Sequence, residues 1–301
     1  MFDVSYRLPV GICCPMKTPS CRPYIKKYTM VLVTTNYIAG KTQLILCVFL
    51  VIWLILLLVD DGETLSFAVG EYNGGNTGIQ HGMIALTTVV MLLVLFTLIT
   101  GLVHIFGYGN ASQSYRSDVD RGNNRIRWME YSVTATIMLF VIALVSGTSS
   151  TDTLIMVTTA SLCCMICGFL SEATARSDPH VSKLATLVGW LLLISSFCVI
   201  LRRFGSIFKQ AQSTGSDGPP SFVWAIICGM TMLYLSFGVI HLVHMRKQWN
   251  SVEPVPPEFH RRIDRAYTIA SVASKILLVV LLASGLFARG DVGGENPRQL
   301  T

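Results

Sequence analysis

Long apolar stretches alternate with short polar connections along the chain. A helix needs roughly 20 apolar residues to cross a bilayer, and apolar windows of this length predict membrane spans. Seven stretches meet this requirement, at residues 42–59, 83–106, 126–146, 154–170, 184–201, 221–243 and 267–287. The pattern therefore predicts an all-α protein, a seven-transmembrane-helix bundle.

Composition and charge agree with a multi-pass integral protein of the lipid bilayer. Hydrophobic residues make up 52% of the chain and charged residues only 13%, against about 25% charged in soluble domains. Lys and Arg concentrate in the N-terminal tail and in the second, fourth and sixth connections, which the positive-inside rule places in the cytosol. We expect a cytosolic tail at residues 1–40, a membrane domain at 41–289, an extracellular tail at 290–301, and a plasma-membrane location. This distribution accounts for the net charge of +6 without a nucleic-acid partner.

The first extracellular connection, residues 60–80, is long and acidic. Its Gly and Asn residues adjoin short β-prone pieces such as residues 65–69, a combination typical of β-hairpins. We expect a short β-hairpin here, serving either as a cap or subunit contact or as a solvated loop without a further role.

One charged residue lies in the middle of an apolar span. Lys275 stands ten residues after Arg265 and fourteen before Arg289, about 15 Å from the nearer helix end. A lone ammonium at that depth costs about 2.5–3.5 kcal/mol. Lys275 therefore needs a carboxylate partner or a covalent modification; the alternative is a side chain that extends to the membrane surface.

Glu130 is the only acid well inside a span, and is the predicted partner of Lys275. Arg127, three residues earlier, shares its helical face, so the three charges suggest a counter-ion complex. Ser271 precedes Lys275 by one turn and can accept a hydrogen bond from a group on its nitrogen, or bond to its own helix instead. A structural Glu130–Lys275 pair and an Arg127 at the membrane rim remain alternatives.

Several further polar residues fall near the predicted cytosolic ends of the spans. We expect His104, His241 and Gln43 to lie near Glu130 in the cytosolic third of the bundle. A position at the membrane rim is the commoner alternative for His241 and for His244.

Aromatic residues, including Trp190 and Tyr234, occur at helical spacing in spans five and six. They either pack helices together or, beside a buried lysine, form a slot for a flat conjugated ligand. A buried lysine can form a Schiff base with an aldehyde, and its charged form needs one fixed carboxylate. One lysine, one acid and an aromatic slot in seven helices predict bound retinal. The pair Cys164 and Cys167 has no second pair, so no metal site is expected.

Two segments resemble signatures of the heliorhodopsin family. Arg-Trp-Met-Glu-Tyr-Ser at residues 127–132 is similar to the third-helix signature, and Asp-Arg-Ala-Tyr at 264–267 with Ser-Val-Ala-Ser-Lys at 271–275 resembles the seventh helix. Shorter similar segments lie at residues 36–40, 102–104, 168–172 and 220–224. The resemblance covers about residues 36–290.

This resemblance implies a photoreceptor that holds all-trans retinal as a protonated Schiff base on Lys275, with Glu130 as counter-ion and Ser271 beside it. Light would drive isomerisation and proton loss to a cytosolic-side polar cluster. The other candidate retinal contacts are Met138, Trp190, Tyr234, Tyr131 and Ser161, and the candidate proton-route residues are His104, Gln43, Arg127, His241 and Glu172. A homodimer is implied as well, and a sensor of this kind would act on a cytosolic signalling partner.

Four positions depart from the family pattern. Gln43 stands in place of a histidine and cannot hold a proton, which argues against storage by two histidines. His241 stands where relatives often have glutamine, and can compensate. Tyr234 replaces a common phenylalanine, which can tune the colour, and Ser161 replaces a polar amide.

A light sensor without net transport is the expected activity. Outward proton pumps usually carry a second acid eleven residues after the first on the third helix, and here that position is Val141. A light-gated proton or cation conductance is the first alternative, because Glu130, His104, Glu172 and His241 would form a polar route. A transporter or receptor without retinal is the second. Enzymatic activity is not expected.

Overall fold

The computed structural model describes residues 22–59, 66–71, 80–109, 113–148, 150–214 and 221–290. Residues 1–21 of the predicted N-terminal tail (1–40) and residues 291–301 of the predicted C-terminal tail (290–301) lie outside these ranges, as does most of the first connection. The elements in chain order are α1 (Arg22–Val59), β1 (Ser66–Glu71), β2 (Gln80–Ala85), α2 (Leu86–Leu102), a π-helix (Val103–Gly109), α3 (Gln113–Asp120), α4 (Arg125–Val145), α5 (Thr151–Thr174), α6 (Pro179–Thr214), α7 (Ser221–Asn250) and α8 (Pro257–Gly290).

Seven helices are long and apolar enough to cross a membrane, which confirms the predicted all-helical bundle. The spans are Thr34–Val59, Leu86–Tyr108, Arg125–Val145, Thr151–Thr174, Pro179–Lys209, Val223–Asn250 and Pro257–Ser284. α1 begins at Arg22, well before the predicted start of the first span at residue 42. Hydropathy locates the apolar part of a helix but not a polar extension of it, which is why the prediction was short.

The strands β1 and β2 form an antiparallel pair in which Ser66 faces Ala85 and Glu71 faces Gln80. The residues that connect them, 72–79, lie outside the described ranges, so the hairpin itself stays a prediction. Below, the end of the bundle next to these strands is called the strand end. The end at which α4 and α8 begin is called the polar end.

An apolar core fills the strand-end half of the bundle. Its fully buried members come from several helices and include Leu50, Val90, Leu93, Phe96, Ile142, Ile226, Leu278 and Leu282. Burial of such side chains contributes about 1.5–3 kcal/mol each in water-soluble proteins; between membrane helices, close packing takes that role. The buried charged residues lie at or towards the opposite, polar end.

The start of α4 is set by a turn and a cap. Gly122 adopts a φ of +76°, a conformation that glycine reaches without strain. Two residues later the Asn124 side chain accepts a hydrogen bond from the backbone N–H of Arg127 at 3.1 Å, which satisfies a free donor of the first turn. This start directs Arg127 and Glu130 into the bundle rather than outward.

Candidate functional site

Lys275 lies inside the bundle in contact with Glu130. Its Nζ donates to Glu130 Oε1 at 3.0 Å and to Ser271 Oγ at 2.8 Å. Thr100 Oγ1 donates to the same carboxylate oxygen at 2.8 Å. Lys275 is 2% exposed and Glu130 3%, so the alternative in which the lysine extends to the membrane surface is wrong.

A cavity lined by residues of α4, α5, α6, α7 and α8 opens beside Lys275. Four of the predicted retinal contacts, Tyr131, Met138, Trp190 and Tyr234, line it together with Ser271. Ser161, on α5, is buried but is not among the lining residues, so its contact with the ligand stays a prediction.

Two glycines allow aromatic rings to form the cavity walls. A Cβ added at Gly238 would lie 2.8 Å from the Trp190 ring, and one added at Gly168 would overlap the Trp128 ring. Real Cβ atoms do not approach rings this closely, so each tryptophan lies where only a glycine leaves room. Trp128 and the glycines were not among the residues predicted from the sequence to form the site.

Tyr234 closes the cavity on the α7 side. Its hydroxyl donates to the Ala135 carbonyl at 2.9 Å, which joins α7 to α4. Its ring packs edge-on against Phe197, with centroids 5.2 Å apart. A phenylalanine at this position would lack the hydrogen bond between the two helices.

Arg127 belongs to a different group from Glu130, contrary to the predicted three-charge complex. It donates to Asp264 Oδ1 at 2.8 Å and to Glu172, and its guanidinium lies 4.1 Å from the centroid of the Tyr267 ring. Helical side chains point towards the N-terminus of their helix, so Arg127 reaches the acids at the polar end. It is 4% exposed, which also excludes the rim position.

A hydrogen-bonded chain leads from His104 to Asp264. His104 Nδ1 lies 3.1 Å from Asn36 Oδ1, Asn36 Nδ2 donates to the Tyr115 hydroxyl at 2.9 Å, and that hydroxyl donates to Asp264 Oδ2 at 2.7 Å. Burial, together with the carboxylate of Asp264, raises the pKa of Tyr115. His104 itself lies on the π-helix, a form that is frequent at functional sites.

Asn36, Tyr115 and Asp264 were missed as site residues. Asn36 and Asp264 lie within segments that carry the family resemblance, and this signal could have identified both. Tyr115 lies on α3, in the connection after the second span, and its sequence context carries no such signal.

A second buried group surrounds Glu172. His244 Nδ1 lies 3.3 Å from Glu172 Oε1, and His244 Nε2 lies 2.9 Å from His260 Nδ1. Trp128 Nε1 donates to the other carboxylate oxygen at 2.8 Å. His241, His244 and His260 are 7%, 2% and 3% exposed, so the rim position expected for His241 and His244 is wrong.

Gln43 and His241 are buried without a hydrogen-bond partner among the described residues. Both amide atoms of Gln43 and both ring nitrogens of His241 are in this condition. Gln43 is completely buried on α1, whereas His241 lines the cavity and packs edge-on against Trp128, with ring centroids 5.5 Å apart. The two residues therefore lie in different surroundings.

Comparison with solved structures shows a rhodopsin fold. The structure of Exiguobacterium sibiricum rhodopsin matches with a TM-score of 0.55 and 12% identity, over 84% of this chain and 96% of that one. The transmembrane domain of Salpingoeca rosetta rhodopsin phosphodiesterase matches with a TM-score of 0.56 and 13% identity, over 89% of this chain and 88% of that one. A comparison with curated proteins found no match.

The family assignment comes from the chain itself. The heliorhodopsin family model matches residues 32–286, which include all seven spans almost completely. Lys275, Glu130 and the adjoining cavity lie within the matched segment. The chain therefore belongs to the heliorhodopsin family and is a retinal-binding, light-responsive membrane protein.

Proposed function

We propose that this protein is a light sensor in which Lys275 carries all-trans retinal as a protonated Schiff base and Glu130 is the counter-ion. The observation that carries the proposal is the buried contact of 3.0 Å between Lys275 Nζ and Glu130 Oε1, at the wall of an apolar cavity. A positive charge on the lysine nitrogen has its compensating charge in place before light arrives.

The residues around the cavity fit a retinal molecule. The amine lies in the cavity wall, and aromatic and aliphatic side chains dominate the lining. Met138, Trp190 and Tyr234 would hold the polyene and its ring. When bound, retinal supplies absorption of visible light and a double bond that isomerises on excitation.

Glu130 holds the counter-charge through a definite set of contacts. Its Oε1 accepts hydrogen bonds from both Lys275 and Thr100, while Oε2 has no partner among the described residues. Ser271 accepts from the lysine nitrogen on the opposite side. These contacts orient the nitrogen, and the free carboxylate oxygen is available to accept a proton from it.

A sensor is favoured over a conductance because, among the described residues, the buried charged side chains and histidines lie at the level of Lys275 or between it and the polar end. They extend from Glu130 and His104 through Asn36 and Tyr115 to Asp264 at the polar end. Towards the strand end the interior is mainly apolar, and Leu93, Phe96, Ile142 and Leu278 are completely buried there. An ion that enters from the polar end meets an apolar barrier in which it would cost several kcal/mol.

The distribution of Lys and Arg supports a cytosolic position for the polar end and the N-terminus. The proposal also includes a homodimer located in the plasma membrane. The polar end would then face a cytosolic signalling partner. Labelling of intact cells with a maleimide that cannot cross the membrane tests this orientation. Single cysteines for the labelling are introduced at either end of a variant from which the native cysteines have been removed.

Expression with all-trans retinal, followed by a visible spectrum and by whole-cell recording under light, tests the function. We expect a coloured protein that bleaches in hydroxylamine under light, loss of colour in Lys275→Ala, and no loss in Lys183→Ala, a control at an exposed lysine. Colour in Lys275→Ala would disprove the attachment site. A sustained photocurrent that reverses with voltage would reject the sensor hypothesis in favour of a light-gated conductance.

A further inference from the structure

We propose that the proton released from the Lys275 nitrogen under light is held by the His244–His260 pair, which it reaches by way of His241. The inference rests on the proposed function and specifies where its proton goes. It differs from a proton store at His104, and the two can be distinguished by experiment.

His241 connects the cavity to the pair. It is the one histidine among the residues that line the cavity with Lys275, and neither of its ring nitrogens has a hydrogen-bond partner among the described residues. Its ring packs edge-on against Trp128, whose Nε1 donates to Glu172. A base with a free lone pair therefore lies between the ligand space and the buried acid.

The chain through His104 has little capacity for a proton. Its next members, Asn36 and Tyr115, are neutral groups that do not bind an additional proton near neutral pH. Asp264, at its end, already accepts hydrogen bonds from Tyr115, Asn124 and Arg127. This hydrogen-bonded chain therefore contains a single imidazole, that of His104, and Gln43 does not provide another.

The His244–His260 pair has a vacant position for one proton. Glu172 only accepts when ionised, so it fixes a hydrogen on Nδ1 of His244. Nε2 of His244 is then an acceptor for the Nδ1–H of His260 at 2.9 Å and for the Gln248 amide at 3.1 Å. An incoming proton is held at the remaining nitrogen of His260, Nε2, once the rings of His244 and His260 have exchanged the hydrogens of these bonds.

The charges near the pair include more carboxylates than guanidinium groups. In the buried interior, two carboxylates, Glu172 and Asp264, face one guanidinium, that of Arg127. An imidazolium compensates the excess negative charge. At His260 itself, His244 and Arg176 oppose a positive charge, whereas Glu172 and Asp120 attract one. Asp120 is itself paired with Arg261.

The backbone is shaped to hold the pair. The His260 ring lies against Gly122, where a Cβ would come within 2.6 Å of it, and Gln248 donates to the carbonyl of Gly122 at 3.4 Å.

The proton balance is simple: the lysine nitrogen loses one proton, His260 gains one, and no bond between heavy atoms changes.

Light-minus-dark infrared spectra of the full chain with retinal, with and without ¹⁵N-histidine, test the proposal. We expect an imidazolium band in the light that shifts with the label, persists in His104→Gln, and is lost in His244→Gln and His260→Gln. His180→Gln, at an exposed histidine, is the matched control and retains the band. In His241→Gln the band should form at least about a hundredfold more slowly, the lower end of what a positioned acid–base group contributes.

The band's persistence in His260→Gln, its loss in His104→Gln, its presence already in the dark, or its absence from the unmodified chain would each overturn the inference. If His244→Gln does not fold, His260→Gln decides alone, because its ring is at the outer end of the pair. Failure of the chain to form any pigment would refute the proposed function instead.

Discussion

Nζ of Lys275 lies 3.0 Å from Oε1 of Glu130, and the two side chains are 2% and 1% exposed. An ion pair this deeply buried is expensive to break, because either partner alone is an uncompensated charge. This contact should make the absorption of the pigment sensitive to the charge on Glu130.

Replacing Glu130 by Gln removes the counter-charge and keeps the size of the side chain. We expect absorption at longer wavelength at neutral pH, or loss of the proton from the lysine nitrogen with absorption in the near ultraviolet. Acid titration of the unmodified protein should produce the same long-wavelength shift, because protonation neutralises the same carboxylate. Glu130→Asp retains the charge and is the control; a Glu130→Gln spectrum identical to the original would exclude the counter-ion assignment.

Arg127→Gln should destabilise the protein strongly while leaving the colour nearly unchanged. Asp264 and Glu172 would both lose their buried cationic partner, at a cost of about 3–5 kcal/mol, whereas Arg127 does not bond to Glu130. Arg121→Gln is the matched control, since Arg121 is 67% exposed in its pair with Asp118 and such pairs contribute up to about 1 kcal/mol. Heating each variant while its visible absorption is recorded measures both the stability and the colour. Equal stability of the Arg127 and Arg121 variants would contradict the role of Arg127.

Gly238→Ala should move Trp190 and disturb the ligand space. The new Cβ would lie 2.8 Å from the ring, and overpacking of this kind costs about 1–3 kcal/mol. Pigment yield and absorption maximum should both change. Gly205→Ala has open space around its Cβ within 4 Å and should leave both unchanged; a normal Gly238→Ala pigment would show that Trp190 does not shape the site.

Tyr115→Phe tests the hydrogen-bond chain and has a defined pH dependence. Loss of the bonds with Asp264 and Asn36 should cost about 1–3 kcal/mol near neutral pH. Because the pKa of Tyr115 is raised in the folded protein above its ordinary value of 10.0, its contribution to stability is complete below pH 10.0 and decreases as the pH rises, by up to about 1.4 kcal/mol per unit.

The difference in unfolding free energy between the original chain and Tyr115→Phe should therefore narrow above pH 10.0. Denaturation at a series of alkaline pH values measures it, with the exposed Tyr37→Phe as control. A difference that widens with pH would refute the assigned contact with Asp264.

Sequence reasoning located the bundle and the pair at its centre because both depend on local features. An apolar stretch of sufficient length forms a span whatever its neighbours are, and Lys275 and Glu130 were the only lysine and the only convincing acid within the spans. The ends of the spans were less predictable, since α1 continues to Arg22 through residues of mixed polarity.

The polar end could not be deduced because its contacts depend on which side chains turn inward. Arg127 shares a helical face with Glu130 but bonds to Asp264, which lies 137 positions away in the chain. From its position near the end of a span, His244 resembles a membrane-surface residue. The sequence does not show that His260, at the start of α8, packs against it. Tyr115 belongs to a connection that hydropathy describes only as polar.

The apolar packing of the strand-end half has a consequence for the cell that makes this protein. Because the described core residues there are apolar and closely packed, we expect the protein at rest to add no ion leak to the membrane. A cell can therefore accumulate many copies in darkness without draining the gradients that power its transport.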